Sequence, residues 1–472
     1  MNRSHRRLEE ILSVGGLIAK VVPGYDARPQ QLELGRAVLD CLAGERVLVA
    51  EAPTGVGKTL AYLVPAALHA RETREPVVIS SYTRALQDQI LDQEAPRLRR
   101  LIHPDLGVVT LKGRGNYLCR RRWELFLAEE GSGPDGRWAV DLLEAWVFST
   151  KTGDFAEAPD LGPRAAWVQR RIGGEARFCR SRGCRPESGC FHKAARRAAR
   201  EADLVVVNHS LLLADAAGNG ILPEHRALIV DEAHLLPDAA LDQLTVRVSE
   251  RSLTERVRLM GGAGEPGASD RLRRAARLLP SRVAGSQLGA RAREIEELSA
   301  PAMAAVRAFG EALRGHPEFP APGGRRRYGA GAPLGDFPPP AYDALLAAVD
   351  PLREAARDLL RELTAETQPA DPAGEIADLL EASGGWIEEL DEEMDALSAL
   401  LAGDARNRVH YLELGGREGA TLSVVPLETG PPIRELLLER HGAVVFTSAT
   451  LAVKEDFTHF AGQVGLEPGE PA

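Results

Sequence analysis

Hydrophobic and polar positions along the chain fall into two regimes. In the first, short apolar runs alternate with helically spaced stretches: residues 46–50 (Arg-Val-Leu-Val-Ala) and 76–80 (Pro-Val-Val-Ile-Ser) predict strands, and residues 60–68 between them predict a helix. Residues 203–208, 227–231 and 443–447 read as three more strands of the same kind. Runs without polar alternation suit a parallel sheet covered by helices on both faces, so the expected fold class is α/β. The second regime interrupts the first. Residues 111–200 hold four of the five cysteines and a dense run of arginines, and residues 251–401 are rich in Ala, Leu, Glu and Arg at helical spacing. Both read as insertions into one α/β domain. Residues 315–340, where Pro and Gly cluster around Arg325, Arg326 and Arg327, predict a mobile loop inside the helical insertion. No internal repeat recurs at a fixed period.

Size and composition narrow the class. A chain of 472 residues with 44% hydrophobic content can bury several cores, about three domains at roughly 100 to 200 residues each. A small binding module is excluded. No apolar run approaches the roughly 20 residues that cross a bilayer, and the first twenty residues carry Glu9 and Glu10 and no small-residue cleavage site. The expectation is a cytoplasmic protein without a membrane partner. A formal net charge of -10 speaks against a protein coated in nucleic acid over its whole surface, which leaves local cationic patches to carry any such contact. Five cysteines in a chain of this kind point to metal or redox chemistry before structural disulfides.

The chemistry begins at residues 52–59, Ala-Pro-Thr-Gly-Val-Gly-Lys-Thr, which follow a predicted strand and open a predicted helix. In such a loop Thr54, Gly55, Val56 and Gly57 turn backbone N–H groups toward phosphate oxygens, Lys58 reaches the terminal phosphates, and the Thr59 hydroxyl faces Mg2+. Ala52 replaces the usual first glycine. Residues 231–234, Asp-Glu-Ala-His, end another predicted strand. Asp231 there can hold magnesium and Glu232 can orient or deprotonate the attacking water, so Lys58, Asp231 and Glu232 are the expected catalytic set for ATP hydrolysis. Residues 447–450, Thr-Ser-Ala-Thr, close a third strand, where their hydroxyls could relay the state of the nucleotide site or simply form a strand-end turn.

Taken together these segments resemble motifs I, II and III of superfamily 2 helicases of the DEAH-box type. That resemblance implies a RecA-like P-loop motor domain. Residues 25–31 are similar to the family's adenine-reading segment, which makes Arg28 and Gln31 candidates for the base and Tyr25 a stacking partner. Residues 80–87 resemble motif Ia, so Thr83 and Arg84 are expected on the DNA backbone, the alternatives being a helix cap and a solvated arginine.

Cys119, Cys179, Cys184 and Cys190 are separated by 59, 4 and 5 residues, and Cys41 lies apart in an apolar helix. Four thiolates on one long and two short loops can surround a single metal centre. Zinc knuckles more often pair cysteines closely twice over, so the spacing leans toward an iron-sulfur cluster with zinc as the alternative. The flanks, residues 112–119, 190–196 and 202–212, look like the cluster domain of XPD/DinG-type iron-sulfur helicases, and that resemblance implies a [4Fe-4S] cluster on these four cysteines. Arg164, Arg170, Arg171, Arg177, Arg180, Arg182 and Arg185 crowd the same stretch, with Tyr117, Trp123 and Phe178 for stacking; a strand of nucleic acid or plain solvent can face such a patch.

The expected division is a motor domain in three pieces (1–110, 204–250 and 405–472), a cluster domain at 111–203 and a helical, arch-like domain at 251–404, whose role rests on position alone. Residues 409–413 and 422–427 resemble the family's return into the motor domain. No Gln-x-x-Gly-Arg-x-x-Arg segment follows, so the second motor domain is expected to be missing; a fragment, a split gene with a separate chain, and a decayed gene are equally compatible with that. The resemblance implies an ATP-dependent DNA helicase moving 5′ to 3′ along single-stranded or forked DNA in repair. A nucleotide-switched single-stranded DNA-binding module without motor activity is the competing expectation.

Overall fold

A computed structural model describes residues 3–467 apart from 23, 130, 132, 175–178, 180–188, 263–265, 317–323, 330–339, 368–374, 404–406 and 455; the side chains of Arg84 and Asn219 also lie outside the described set. The described strands are β1 (Val47–Glu51), β2 (Val77–Ser80), β3 (Val108–Thr110), β4 (Leu204–Val207), β5 (Ala227–Asp231), β6 (Val246–Ser249), β7 (Arg325–Tyr328), β8 (Arg408–Leu414), β9 (Ala420–Pro426) and β10 (Ala443–Ser448). The chain divides into two compact units, one of residues 1–117, 191–244 and 428–472, the other of residues 118–190 and 245–427.

The first unit is built on a six-stranded sheet in the order β1-β10-β5-β2-β4-β3, parallel throughout. Strands β2, β4, β5 and β10 are buried along their whole length, as their uninterrupted apolar runs predict. One face packs Ile79, Val206, Ile229 and Val445 against Leu39, Leu42, Leu63 and Ala67. The other packs Val78, Val205, Leu228 and Phe446 against Leu212, Leu236, Ile433 and Leu437. Each such side chain contributes about 1.5 to 3 kcal/mol on leaving water, enough for the two layers to fix the order of the strands. From β1 the chain steps to β2 over two positions that β5 and β10 fill later. The carboxyl ends of β1, β10 and β5 therefore meet at a switch in strand order, the place where open parallel sheets take ligands. In register, Glu51 lies beside Ser448 and Thr447 beside Asp231.

In the second unit a four-stranded antiparallel sheet, β6-β9-β8-β7, packs with the helices Glu250–Gly261, Ala268–Leu278, Arg282–Gly315, Ala341–Thr367 and Glu375–Ala402. Leu272, Ile295, Val306, Leu352, Leu359, Leu390 and Leu397 form its core. Residues 409–413 and 422–427 belong here and not to the parallel sheet. The physical reason is visible in β8, where His410, Leu412 and Leu414 share one buried face while Tyr411 and Glu413 on the other are half-buried and exposed, a two-faced pattern suited to an antiparallel sheet; the chain rejoins the parallel sheet at β10, later than the expected boundary at 405. Residues 325–328, expected in a loop, form strand β7 by pairing with β8.

The cysteine-bearing insertion packs onto these helices instead of standing apart as its own domain. Arg271 grips Glu129 through two hydrogen bonds of 3.1 and 2.8 Å, both side chains nearly buried, and lies over the Trp386 ring. Arg121 pairs with Asp378 and, at 3.0 Å, with Glu381. No helix among the described residues is long and apolar enough to cross a membrane.

Candidate functional site

The phosphate loop lies between β1 and the helix Lys58–Thr73. Two of its residues adopt positive φ, Gly55 at 89° and Gly57 at 86°, the left-handed region that costs glycine nothing and a β-carbon-bearing residue more than a kcal/mol. Gly57 is further constrained by contact: a Cβ there would come within 2.3 Å of the Gln31 amide nitrogen. Thr54 and Gly55 are exposed and Val56 is half-exposed, so the loop's concave side is open to a ligand.

Lys58 opens the helix and turns back over the sheet. Its ammonium lies 2.9 Å from Asp231 Oδ1 and 2.8 Å from Glu232 Oε1. Burial alone would lower the pKa of Lys58, but Asp231 and Glu232 outweigh it and hold the ammonium above its ordinary value. For Glu232 burial pushes upward, and Lys58, Ser448 and His234 overcome it, so the carboxyl titrates below the usual range. Asp231, 1% exposed, is held on all sides: Oδ1 accepts from the Glu232 backbone N–H at 2.9 Å and Oδ2 from the Tyr62 hydroxyl at 2.8 Å. Burial beside Asp231 pushes the Tyr62 phenol well above its ordinary pKa, and Thr59 is a further hydrogen-bond partner of that hydroxyl.

Glu232 takes an unusual backbone geometry for a non-glycine residue, φ 52°, which turns its side chain out of line with the strand. One carboxylate oxygen faces Lys58; the other accepts from Ser448 Oγ at 3.0 Å. Ser448 Oγ also lies 2.7 Å from His234 Nδ1, so the 231–234 turn and the end of β10 are joined through a single hydroxyl. Glu51, at the end of β1, accepts from the backbone N–H groups of Leu451 and Ala452 at 2.6 and 2.7 Å, and those bonds hold its carboxyl below its ordinary pKa.

Other expected site residues fall less simply. The Gln31 side chain is 2% exposed; its amide donates to the Gly57 carbonyl at 2.9 Å and accepts from the Tyr25 hydroxyl. In this arrangement it braces the phosphate loop, with Arg28 exposed nearby. Thr83 caps the helix Arg84–Gln89 by accepting from the Leu86 N–H at 3.3 Å. Tyr117 corrects an expectation: it is 4% exposed, its hydroxyl accepts from the Lys112 N–H, and its ring packs against His192, so no face is open for stacking on a base. Trp123, 4% exposed and stacked on Phe126, is closed off in the same way. Arg84, Arg177, Arg180 and Cys184 lie outside the described side chains.

Cys119, Cys179 and Cys190 are each partly exposed, whereas Cys41 is buried and its thiol is pushed up to about 12, burial being the main cause. The Cys119 N–H donates to the Ile172 carbonyl at 2.8 Å, beside a bridge between Leu118 and Gly173 that ties the first cysteine to the segment leading into the other three. Among the described residues no three acidic, His or Cys side chains are grouped to hold a metal ion.

Sequence reasoning missed Tyr62 and the pair Ser80 and His209. Tyr62 stands four residues after Lys58 and so on the same helix face, a detectable signal. Ser80 Oγ and His209 Nδ1 lie 2.7 Å apart, both buried, Ser80 ending β2 and His209 opening the helix His209–Ala214 just after β4; the signal is a histidine just after an apolar run. Burial lowers the His209 pKa to about 4.

Residues 29–116 match the family model "DEAD/DEAH box helicase", a stretch that contains the phosphate loop and ends before Asp231. The chain is 34% identical over 258 residues to the 3'-5' exonuclease DinG of Bacillus subtilis, an alignment covering 54% of this chain and 27% of that protein. It is 28% identical over 471 residues to the ATP-dependent DNA helicase YoaA of Escherichia coli, covering 96% of this chain and 64% of that protein. These alignments thus span less than two thirds of either relative. A solved XPD helicase aligns over 94% of this chain and 61% of its own, at 13% identity and a TM-score of 0.46.

Proposed function

From the premise that this chain carries a DEAD/DEAH box helicase domain and has homologues named DinG and YoaA, we propose that it works as part of an ATP-dependent DNA helicase, with ATP at the carboxyl ends of β1, β5 and β10. The observation that carries the reading is the meeting of Lys58 with both Asp231 and Glu232 at 2.9 and 2.8 Å. A cation already bridges the two carboxylates at the place where a P-loop faces the end of a parallel strand. The donor set fits Mg2+, since the Asp231 carboxylate and Thr59 hydroxyl are hard oxygen ligands. Bound there, magnesium would neutralise charge on the β- and γ-phosphates.

The chain's own residues supply the rest. Gly55 and Gly57 let backbone N–H groups approach phosphate oxygens; Lys58 exchanges its carboxylate contacts for the terminal phosphates; Glu232, freed from Lys58 and still held by Ser448, orients a water and accepts its proton. Glu232→Gln should retain nucleotide binding while hydrolysis falls by about 10² to 10⁴. A Glu232→Gln protein that hydrolyses ATP as fast as the wild type would remove Glu232 from this role.

The proposed polymer is single-stranded or forked DNA, followed 5′ to 3′ in repair, as the resemblance implies. The four cysteines are proposed to bind a [4Fe-4S] cluster that braces their segment. What supports this is their spacing, the partial exposure of Cys119, Cys179 and Cys190, and the backbone tie between Cys119 and Ile172. Anaerobically purified protein should contain iron and acid-labile sulfide, about four of each; zinc alone would overturn the assignment.

A further inference from the structure

The stretch from 271 to 293 carries seven arginines and no acidic residue, in a chain whose net charge is -10. It covers the end of the helix Ala268–Leu278, the following turn and the beginning of the helix Arg282–Gly315. Four of the seven arginines have acidic partners that hold the helices together. Arg271 pairs with Glu129 at 2.8 Å, Arg274 with Glu375 at 2.6 Å, Arg273 with Asp270 and with Glu296 at 3.2 Å, and Arg291 with Glu362.

The other three, Arg277, Arg282 and Arg293, are exposed and have no acidic partner among the described residues. They are not scattered. With Arg273 they line one cavity of about 440 Å³ between the two helices. Its base is firm: Ala276 is fully buried, and a Cβ on Gly285 would meet the Ala276 carbonyl oxygen at 2.5 Å, so the helices touch there. Three guanidinium groups with no acidic partner among the described residues face one hollow and repel one another, while the ion pairs between these helices are made by the other arginines.

We infer that this hollow binds phosphate-ester anions, and that its occupant is the sugar-phosphate backbone of a nucleic-acid strand. Guanidinium forks match tetrahedral oxyanions with two parallel hydrogen bonds, and Ser281 and Ser286 in the lining add hydroxyl groups. The volume holds a phosphate with its sugar and is too narrow for a helix of 10 to 12 Å diameter. No aromatic side chain lines it, so there is no face on which a base would stack. The contact therefore grips backbone without reading sequence. It rests on the proposal that the chain acts on DNA, but it is located in the helical unit, away from the phosphate loop in the sequence.

The test is fluorescence anisotropy of single-stranded oligo-dT and mixed-sequence DNA with the full chain, across a salt series. Replacing three phosphate contacts in the triple variant R277Q/R282Q/R293Q should flatten the slope of log affinity against log salt by about 2 and weaken binding by up to about 100-fold at 0.1 M salt, equally for both sequences. Mg-ATP binding without DNA should be unchanged. The lysine version, R277K/R282K/R293K, should restore the slope because the charge returns. Wild-type binding with an unaltered slope in the glutamine variant sinks the inference and leaves the DNA reading intact. Failure of the wild type to bind DNA sinks that reading instead. Saturable binding of inorganic tripolyphosphate through these arginines, with no effect on DNA, would assign the site to a soluble anion and overturn the nucleic-acid occupant.

Discussion

Ser448 donates to one oxygen of Glu232 at 3.0 Å while Lys58 holds the other at 2.8 Å, so the end of β10 fixes the orientation of a carboxylate that belongs to β5. Ser448→Ala removes that hydroxyl and leaves Glu232 tied on one side only. A hydroxyl bond to a charged carboxylate contributes about 1.5 to 3 kcal/mol, which is roughly 10- to 150-fold in rate. Single-turnover hydrolysis should slow by about that factor with nucleotide affinity kept. A changed affinity at an unchanged rate would show that Ser448 serves binding.

Lys58 is 13% exposed and Asp231 1%, so their contact is largely shielded from water. Lys58→Met removes the cation and leaves two carboxylates facing each other. Breaking a buried pair costs roughly 3 kcal/mol or more, and thermal unfolding of the nucleotide-free protein should shift down accordingly. The double variant Lys58→Met with Asp231→Asn should recover part of the loss. Additive losses would argue that the two residues are not coupled.

Tyr62 donates a hydrogen bond from its hydroxyl to Asp231 Oδ2 at 2.8 Å inside the core. Tyr62→Phe keeps the ring and its packing but strips a hydrogen bond to a charged acceptor, a loss of about 1.5 to 3 kcal/mol. Denaturant unfolding measures it, and a neutral result would mean that Asp231 is adequately held by Lys58 and the Glu232 N–H.

How much of this was legible in the sequence differs from element to element. Strands β2, β4, β5 and β10 could be read because a fully covered parallel strand needs an unbroken apolar run, and the loop at 52–59 because its glycines carry a backbone requirement. The α/β class and the helicase resemblance follow from those elements. Residues 409–413 and 422–427 read as part of the motor from sequence alone because the pairing of β8 and β9 with β7 and β6 is a long-range property that local pattern does not encode. The same applies to Tyr117, whose burial is decided by contact with His192, 75 positions farther along the chain. The hydrogen bonds of Ser448 and Tyr62 depend on register between strands and helix, which residue spacing alone leaves open.

Burial holds both His192 and His209 near pKa 4, against an ordinary value of 6.5. Above pH 6.5 both are neutral whether folded or unfolded and add no pH dependence. As pH falls from 6.5 toward 4, the unfolded chain takes up protons that the folded chain refuses, so stability is lost. Each contributes about 2 to 3 kcal/mol of that loss by pH 4.5. Urea unfolding at pH 7 and pH 4.5 should show a smaller difference in His192→Gln and in His209→Gln than in the wild type. An equal difference would place both imidazoles in contact with water.

Equilibrium binding of ATP to the purified chain, with and without Mg2+, in the wild type and in Lys58→Ala, tests the central claim most directly. Saturable binding that needs magnesium and disappears in Lys58→Ala is the predicted result. Wild-type protein that binds no ATP, or a Lys58→Ala protein that binds it as tightly, would contradict the assignment of Lys58, Asp231 and Glu232 to a nucleotide site.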